Sequence, residues 1–102
     1  MRRVAVLGVV LFGWVWGVVA QADCCRVVKT DAEPPTSTVR ICERGPNNTC
    51  WPELVTSTFA EGDDENVCSA GNTIVYQELD PALGSYKPPI VARCTEGSDV
   101  EL

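Results

Sequence analysis

The sequence predicts a small, disulfide-stapled α+β domain: a three-stranded antiparallel sheet followed by a short C-terminal helix. Three observations point there. Two β-branched runs, residues 38–41 and 54–59, flank a Gly-Pro-Asn-Asn turn; a helix-capping asparagine, Asn72, follows the strand region; and six cysteines sit beyond an apolar leader.

The leader comes first in the chain. Met1-Arg2-Arg3 precedes an apolar run from Val4 to Val19, and Ala20-Gln21-Ala22 closes it with small residues. That basic, apolar, small-residue order is the order of a secretory signal peptide, with cleavage expected after Ala20 or Ala22. The run is sixteen residues long and contains three glycines, short of the roughly twenty apolar residues of a spanning helix. Residues 1–22 are therefore expected to be removed, giving a secreted protein without stable membrane insertion.

Thr38-Val39-Arg40-Ile41 alternates with period two after Pro34-Pro35, and Leu54 to Phe59 is β-branched and follows Pro52; both read as strands. Gly45-Pro46-Asn47-Asn48 between them has turn chemistry, and Gly62-Asp63-Asp64 a second turn before Asn66-Val67-Cys68, the third strand. Asn72 can cap a helix starting at Thr73, with Val75 and Leu79 on one face and Pro81 ending it. The β-branched Thr73-Ile74-Val75-Tyr76 suits a strand equally well. One domain over residues 23–94 and a loose acidic tail over residues 95–102 complete the organisation.

Charge and residue types exclude several functions. Without Arg2 and Arg3, six Lys/Arg face fourteen Asp/Glu, a net charge near −8. The basic residues are scattered among acids, so no nucleic-acid partner is expected, and glycosaminoglycan binding should be weak or absent. With no histidine in the chain, the usual base of Ser/His/Asp and Cys/His catalysis is missing, and no enzyme activity is expected. No C-x-x-C occurs, and Asp63-Asp64-Glu65 lacks the alternating acids of a calcium loop, so neither metal nor cofactor is expected. Cys24, Cys25, Cys42, Cys50, Cys68 and Cys94 are an even set in an oxidising compartment and should all be bridged. Asn47-Asn48-Thr49 is a glycosylation sequon with Asn47 as acceptor. Aromatics this few are more often core than contact groups, and Trp51, with Pro52, beside Cys50, is the one to test at an interface.

Adjacent Cys24-Cys25 directly after a leader, with single cysteines behind a turn and behind two strands, resemble the CC chemokines. Pro35 resembles the proline closing that family's N-loop, Val39 and Ile41 its first strand, Cys50 its third cysteine, Pro52 to Thr58 its second strand, and Val67-Cys68-Ser69-Ala70 its third strand with the fourth cysteine. The match covers Cys24 to about Leu79. It implies bridges Cys24–Cys50 and Cys25–Cys68, leaving Cys42 and Cys94 to pair as in six-cysteine and virus-encoded chemokine homologues. It further implies an exposed N-loop, Arg26 to Pro34, with Asp23, Arg26, Val27, Val28 and Lys29 contacting a chemokine receptor. Activation in that family needs residues ahead of the paired cysteines, and here only one to three remain, so the resemblance implies a non-activating competitor.

Two other readings use the same cysteines. Cys42 and Cys50 across a short turn, with the extended stretch before Cys94, suit a cystine-knot growth factor or cytokine, although the terminal C-x-C of such knots is missing. Alternatively the chain is a protease inhibitor or other disulfide-framed extracellular binding module, with Gly45 to Trp51 an exposed loop held at Cys42 and Cys50.

Overall fold

The structure is a computed structural model, and it describes residues 22–32 and 35–102. The leader expected over residues 1–22 lies almost wholly outside the described residues, as do Glu33 and Pro34.

Strand β1, Asp23–Val28, begins the domain. Successive side chains on a strand point to opposite faces. Cys25 and Val27 accordingly turn inward and are buried, while Arg26 is exposed on the other face with Cys24. β1 pairs antiparallel with β4, Asp64–Ser69, and parallel with β8, Asp99–Glu101, so the first strand lies at the centre of a three-stranded sheet. Backbone bonds Gly97 N–H to Cys24 O (2.9 Å), Arg26 N–H to Ser98 O (2.9 Å) and Leu102 N–H to Val28 O (2.9 Å) fasten the C-terminal segment to it. Gly97 makes the turn into β8 at φ +79°, a conformation that side chains with a Cβ rarely adopt.

The second sheet is built on β2, Thr36–Arg44, and β3, Cys50–Ala60, paired antiparallel, with β5, Thr73–Asp80, on the other side of β2. β6, Ser85–Tyr86, and β7, Ile90–Arg93, both pair with β5. The core lies between the sheets: Cys25, Val27, Val67 and Val100 from the smaller one meet Val39, Ile41, Phe59 and Ile74 from the larger. Glu43 joins the two layers, accepting from the Ser69 hydroxyl and the Ala70 N–H at 2.8 Å each.

This all-β architecture corrects the expected α+β fold. Thr73 to Asp80 is a strand, not a C-terminal helix: Val75 stands in register between Cys42 of β2 and Val91 of β7, and both Ile74 and Val75 are fully buried on opposite faces. Two flanking ladders pair this β-branched segment on both edges and its two faces are both buried, whereas a surface helix capped by Asn72 would bury one face only. The three expected strand segments fall in β2, β3 and β4, but β4 leaves β3 after the Gly62 turn and pairs with β1 in the other sheet. The tail expected to be loose from Thr95 to Leu102 contains β8, and Val100 is buried in the core.

The bridges differ from those implied by the chemokine resemblance. They are Cys24–Cys68, Cys25–Cys94 and Cys42–Cys50, in place of Cys24–Cys50, Cys25–Cys68 and Cys42–Cys94. Strand geometry explains the change. Because β1 is extended, its adjacent cysteines face opposite ways: Cys24 meets Cys68 directly across the β1–β4 ladder, and Cys25 reaches through the core to Cys94.

The first part of the segment expected to be an exposed N-loop, Arg26 to Lys29, is therefore built into or packed against the sheet system. Val27 is fully buried, and Lys29 is buried with its Nζ 3.5 Å from Glu78 Oε2. Arg26 is exposed but bonded to Asp99 through two nitrogens (3.2 and 3.0 Å) and to Asp64 (2.9 Å). The Arg26 hydrogen bond and charge hold the Asp99 carboxyl below its ordinary value, against partial desolvation. A lowered folded value means that the pair stabilises at neutral pH and the benefit is lost as pH falls through it, from about pH 4 downward. All three side chains are about half exposed, so the effect is small. Thermal melts across the acid range should show a shallower decline for Arg26→Gln than for the wild type; an identical acid limb would show that the triad contributes nothing.

Candidate functional site

Among the described residues no group of Cys, Asp and Glu is arranged to hold a metal ion. A shallow cleft of about 250 Å³ is lined by Cys24, Cys25, Arg26, Asn66, Glu96 and Asp99 among others. Its cation is already engaged by two carboxylates, and the Glu96 carboxylate accepts the Cys24 N–H at 2.9 Å. That leaves little free chemistry there.

The turn between β2 and β3 is different. Cys42 and Cys50 close it covalently, eight residues apart in sequence. Inside, Pro46–Asn48 forms a single 3₁₀ turn, with Asn47 and Asn48 at φ 57° and 61°. Asparagine tolerates this left-handed region better than other non-glycine residues. Gly45 N–H donates to Thr49 O (2.8 Å), Asn48 N–H to Gly45 O (3.1 Å), and the Thr49 hydroxyl to Pro46 O (2.7 Å). Arg44 Nε donates to Asn48 Oδ1 at 2.7 Å, clamping the base of the turn.

Gly45 is required by close approach. A Cβ there would meet the Trp51 carbonyl oxygen at 2.9 Å and the Thr49 carbonyl oxygen at 3.0 Å, both backbone atoms that cannot move aside alone. Gly45→Ala should therefore displace the turn while leaving the sheet below it formed.

Just past the second cysteine the ladder becomes irregular. Ile41 pairs with Val55 but Cys42 with Glu53, which leaves Leu54 without an opposite residue; Arg44 pairs with Cys50, which inserts one more residue at Trp51-Pro52. Such bulges re-aim side chains and interrupt an edge strand. Here they turn Trp51 outward to 69 % exposure and Leu54 to 36 %. Pro52 and Glu53 between them are exposed as well, and the Trp51–Pro52 peptide is cis. A large apolar ring held at the end of a short, covalently closed turn is a preorganised contact group.

Of the residues expected to contact a receptor, Arg26 is tied to Asp64 and Asp99, Val27 and Lys29 are buried, and Asp23 and Val28 are half-buried in β1. Asp23 to Val28 share β1 and Lys29 follows it, but together they form no exposed patch. Asn47 lies at the exposed tip of the Cys42–Cys50 turn. Gly45, Asn47 and Asn48 were expected in the turn, but Arg44, which clamps it through Asn48, was not. The turn signature was visible, whereas the close approach at Gly45 and the Arg44–Asn48 bond depend on the bulged register.

The other aromatics among the described residues are structural. Tyr76 is half-buried in β5, and burial, then the charge of Glu78, push its hydroxyl above the ordinary value. Arg40 lies over the Tyr86 ring at 4.0 Å and bonds Gln77 Oε1 at 2.8 Å. No helix among the described residues is long and apolar enough to cross a membrane. No protein-family model, curated protein or solved structure matches this chain.

Proposed function

We propose that the protein is a secreted recognition module that binds an extracellular protein through Trp51, Pro52 and Leu54 beside the Cys42–Cys50 turn. The observation that carries this is the outward Trp51 ring, turned out of the ladder by a bulge and 69 % exposed beside a covalently closed turn. Three disulfides suit an oxidising extracellular setting, as does the leader read from residues 1–22. The complementary partner surface is an apolar pocket able to take an indole, flanked by groups that can meet Arg44, paired with Cys50, and Glu53, paired with Cys42.

This is the disulfide-framed module reading, with the contact group shifted from the turn tip to Trp51. The receptor-competitor expectation needs an exposed N-loop, and its first residues, Arg26 to Val28, belong to β1, with Lys29 buried just beyond it. The turn is a 3₁₀ element with two left-handed residues rather than an extended segment, which gives a protease active site no strand to hold. Dispersed cations, several engaged by carboxylates or by Tyr86, support weak glycosaminoglycan binding at most.

The test is a binding screen of the oxidised protein against a panel of extracellular ectodomains, chemokine receptors included, repeated with Trp51→Ala and Leu83→Ala. A hot-spot indole is worth about 2 kcal/mol or more, roughly 30-fold in Kd. Loss of that size for Trp51→Ala with no change for the exposed but distant Leu83→Ala supports the proposal. Ligands bound equally by wild type and Trp51→Ala would place recognition elsewhere on the molecule.

A further inference from the structure

The geometry points to Asn47 as an N-glycosylation acceptor that is modified before the Cys42–Cys50 turn closes. Asn47-Asn48-Thr49 is the one Asn-x-Ser/Thr sequon in the chain. All three residues are exposed, and Asn47 occupies a left-handed position at the tip of the turn, so a glycan leaves towards solvent without displacing core residues. The two neighbouring asparagines differ. The Asn48 amide oxygen is held by Arg44 Nε at 2.7 Å, whereas among the described residues no hydrogen bond engages the Asn47 amide.

The closed turn also sets the order of events. Its Thr49 hydroxyl is bonded to Pro46 O at 2.7 Å, and the Asn48 and Thr49 N–H groups are bonded back into the turn. A transferase must engage the acceptor amide and the Thr49 hydroxyl together, and the bridged turn commits that hydroxyl to Pro46. Transfer therefore precedes closure. The donor class is a lipid-linked oligosaccharide diphosphate: Asn47 Nδ2 forms a bond to the sugar C1, the C1–O bond to the diphosphate breaks, the diphosphate leaves with the electron pair, and one amide proton is lost. No oxidant or reductant is involved. Trp51 lies four residues beyond the acceptor, outside the bridge, so the glycan marks one boundary of the surface on which a partner can sit. The modification itself does not depend on what Trp51 binds.

Expression of the full chain in a eukaryotic secretory host, with intact mass measured before and after peptide N-glycosidase, tests this. The expected product carries one N-glycan, whose removal converts Asn47 to aspartate. Asn47→Gln and Thr49→Ala should each abolish it, and Asn48→Gln, which keeps the sequon, should retain it. A secreted but unmodified chain, or a glycan surviving Asn47→Gln, overturns the assignment. If the chain stays inside the cell, exchanging residues 1–22 for an established leader decides: modification at Asn47 supports the proposal and an unmodified secreted product overturns it. Occupancy in the Cys42→Ala/Cys50→Ala double variant, which adds no second sequon, should equal or exceed that of the wild type, and a fall would overturn the order of events.

Discussion

Replacing Cys25 and Cys94 together by alanine is expected to lower stability by about 4–5 kcal/mol, the largest effect of any of the three bridges. Sequence separation alone would not rank it first. Cys25 and Cys94 are 69 residues apart and Cys24 and Cys68 are 44 apart, but the two bridges are neighbours in β1 and each shortens the loop that the other closes. With one intact, the other closes a path of about 27 residues, the 26 from Cys68 to Cys94 and the one from Cys24 to Cys25, worth about 3.5 kcal/mol either way in the chain-entropy account. Burial separates them. Cys25 and Cys94 are both in the core, while Cys68 is exposed, so losing the first pair also leaves unfilled space among packed side chains.

Cys42–Cys50 closes only eight residues, worth about 2.5 kcal/mol by the same account. For a domain of this size, a loss of 4–5 kcal/mol corresponds to a fall in Tm of about 20–30 °C. Calorimetry of the purified, oxidised double variants should give the order Cys25/Cys94, then Cys24/Cys68, then Cys42/Cys50. A larger loss for Cys42→Ala/Cys50→Ala than for Cys25→Ala/Cys94→Ala would mean that the core is organised around the β2–β3 turn instead.

Phe59→Ala is expected to cost about 3–5 kcal/mol, whereas Trp51→Ala should stay within about 0.5 kcal/mol. Both aromatics belong to β3, at its two ends. Phe59 is 2 % exposed and is the largest fully buried side chain, packed against residues from both sheets. Removing its ring opens a cavity that close-packed neighbours fill only in part. Trp51 has little to lose, because most of its surface already faces water. Urea titration of the two variants measures the contrast. A large destabilisation by Trp51→Ala would make the ring a structural element and remove the support for the recognition site.

Local signals in the sequence were sound where the partner of each residue lay nearby. The β-branched runs around Val39 and Val55, the Gly45-Pro46 turn between them, and the bridging of all six cysteines depend on short-range chemistry, and the structure contains each of them. What was not legible depends on distant partners. The segment Thr73 to Tyr76 carried both a capping asparagine and β-branched residues, and the choice between helix and strand was made by β2 and β7, which flank it. Pairing of β1 with β8 has no signature at all, because Val27 opposite Val100 is a contact between the two ends of the domain. The exposure of Trp51 follows from one extra residue in the β3 register, which composition does not encode.

The central position of β1 carries a consequence for synthesis in the cell. Its cysteines are the first made, yet their partners, Cys68 and Cys94, are the last. While the chain is still emerging, Cys24, Cys25, Cys42 and Cys50 meet one another first, and of their possible pairings only Cys42–Cys50 is native. Oxidation that outruns translation would trap Cys25 on the wrong sulfur until exchange frees it. Yield should therefore depend on a disulfide isomerase, and a fast oxidant supplied without one should give chains that are fully bridged and misfolded.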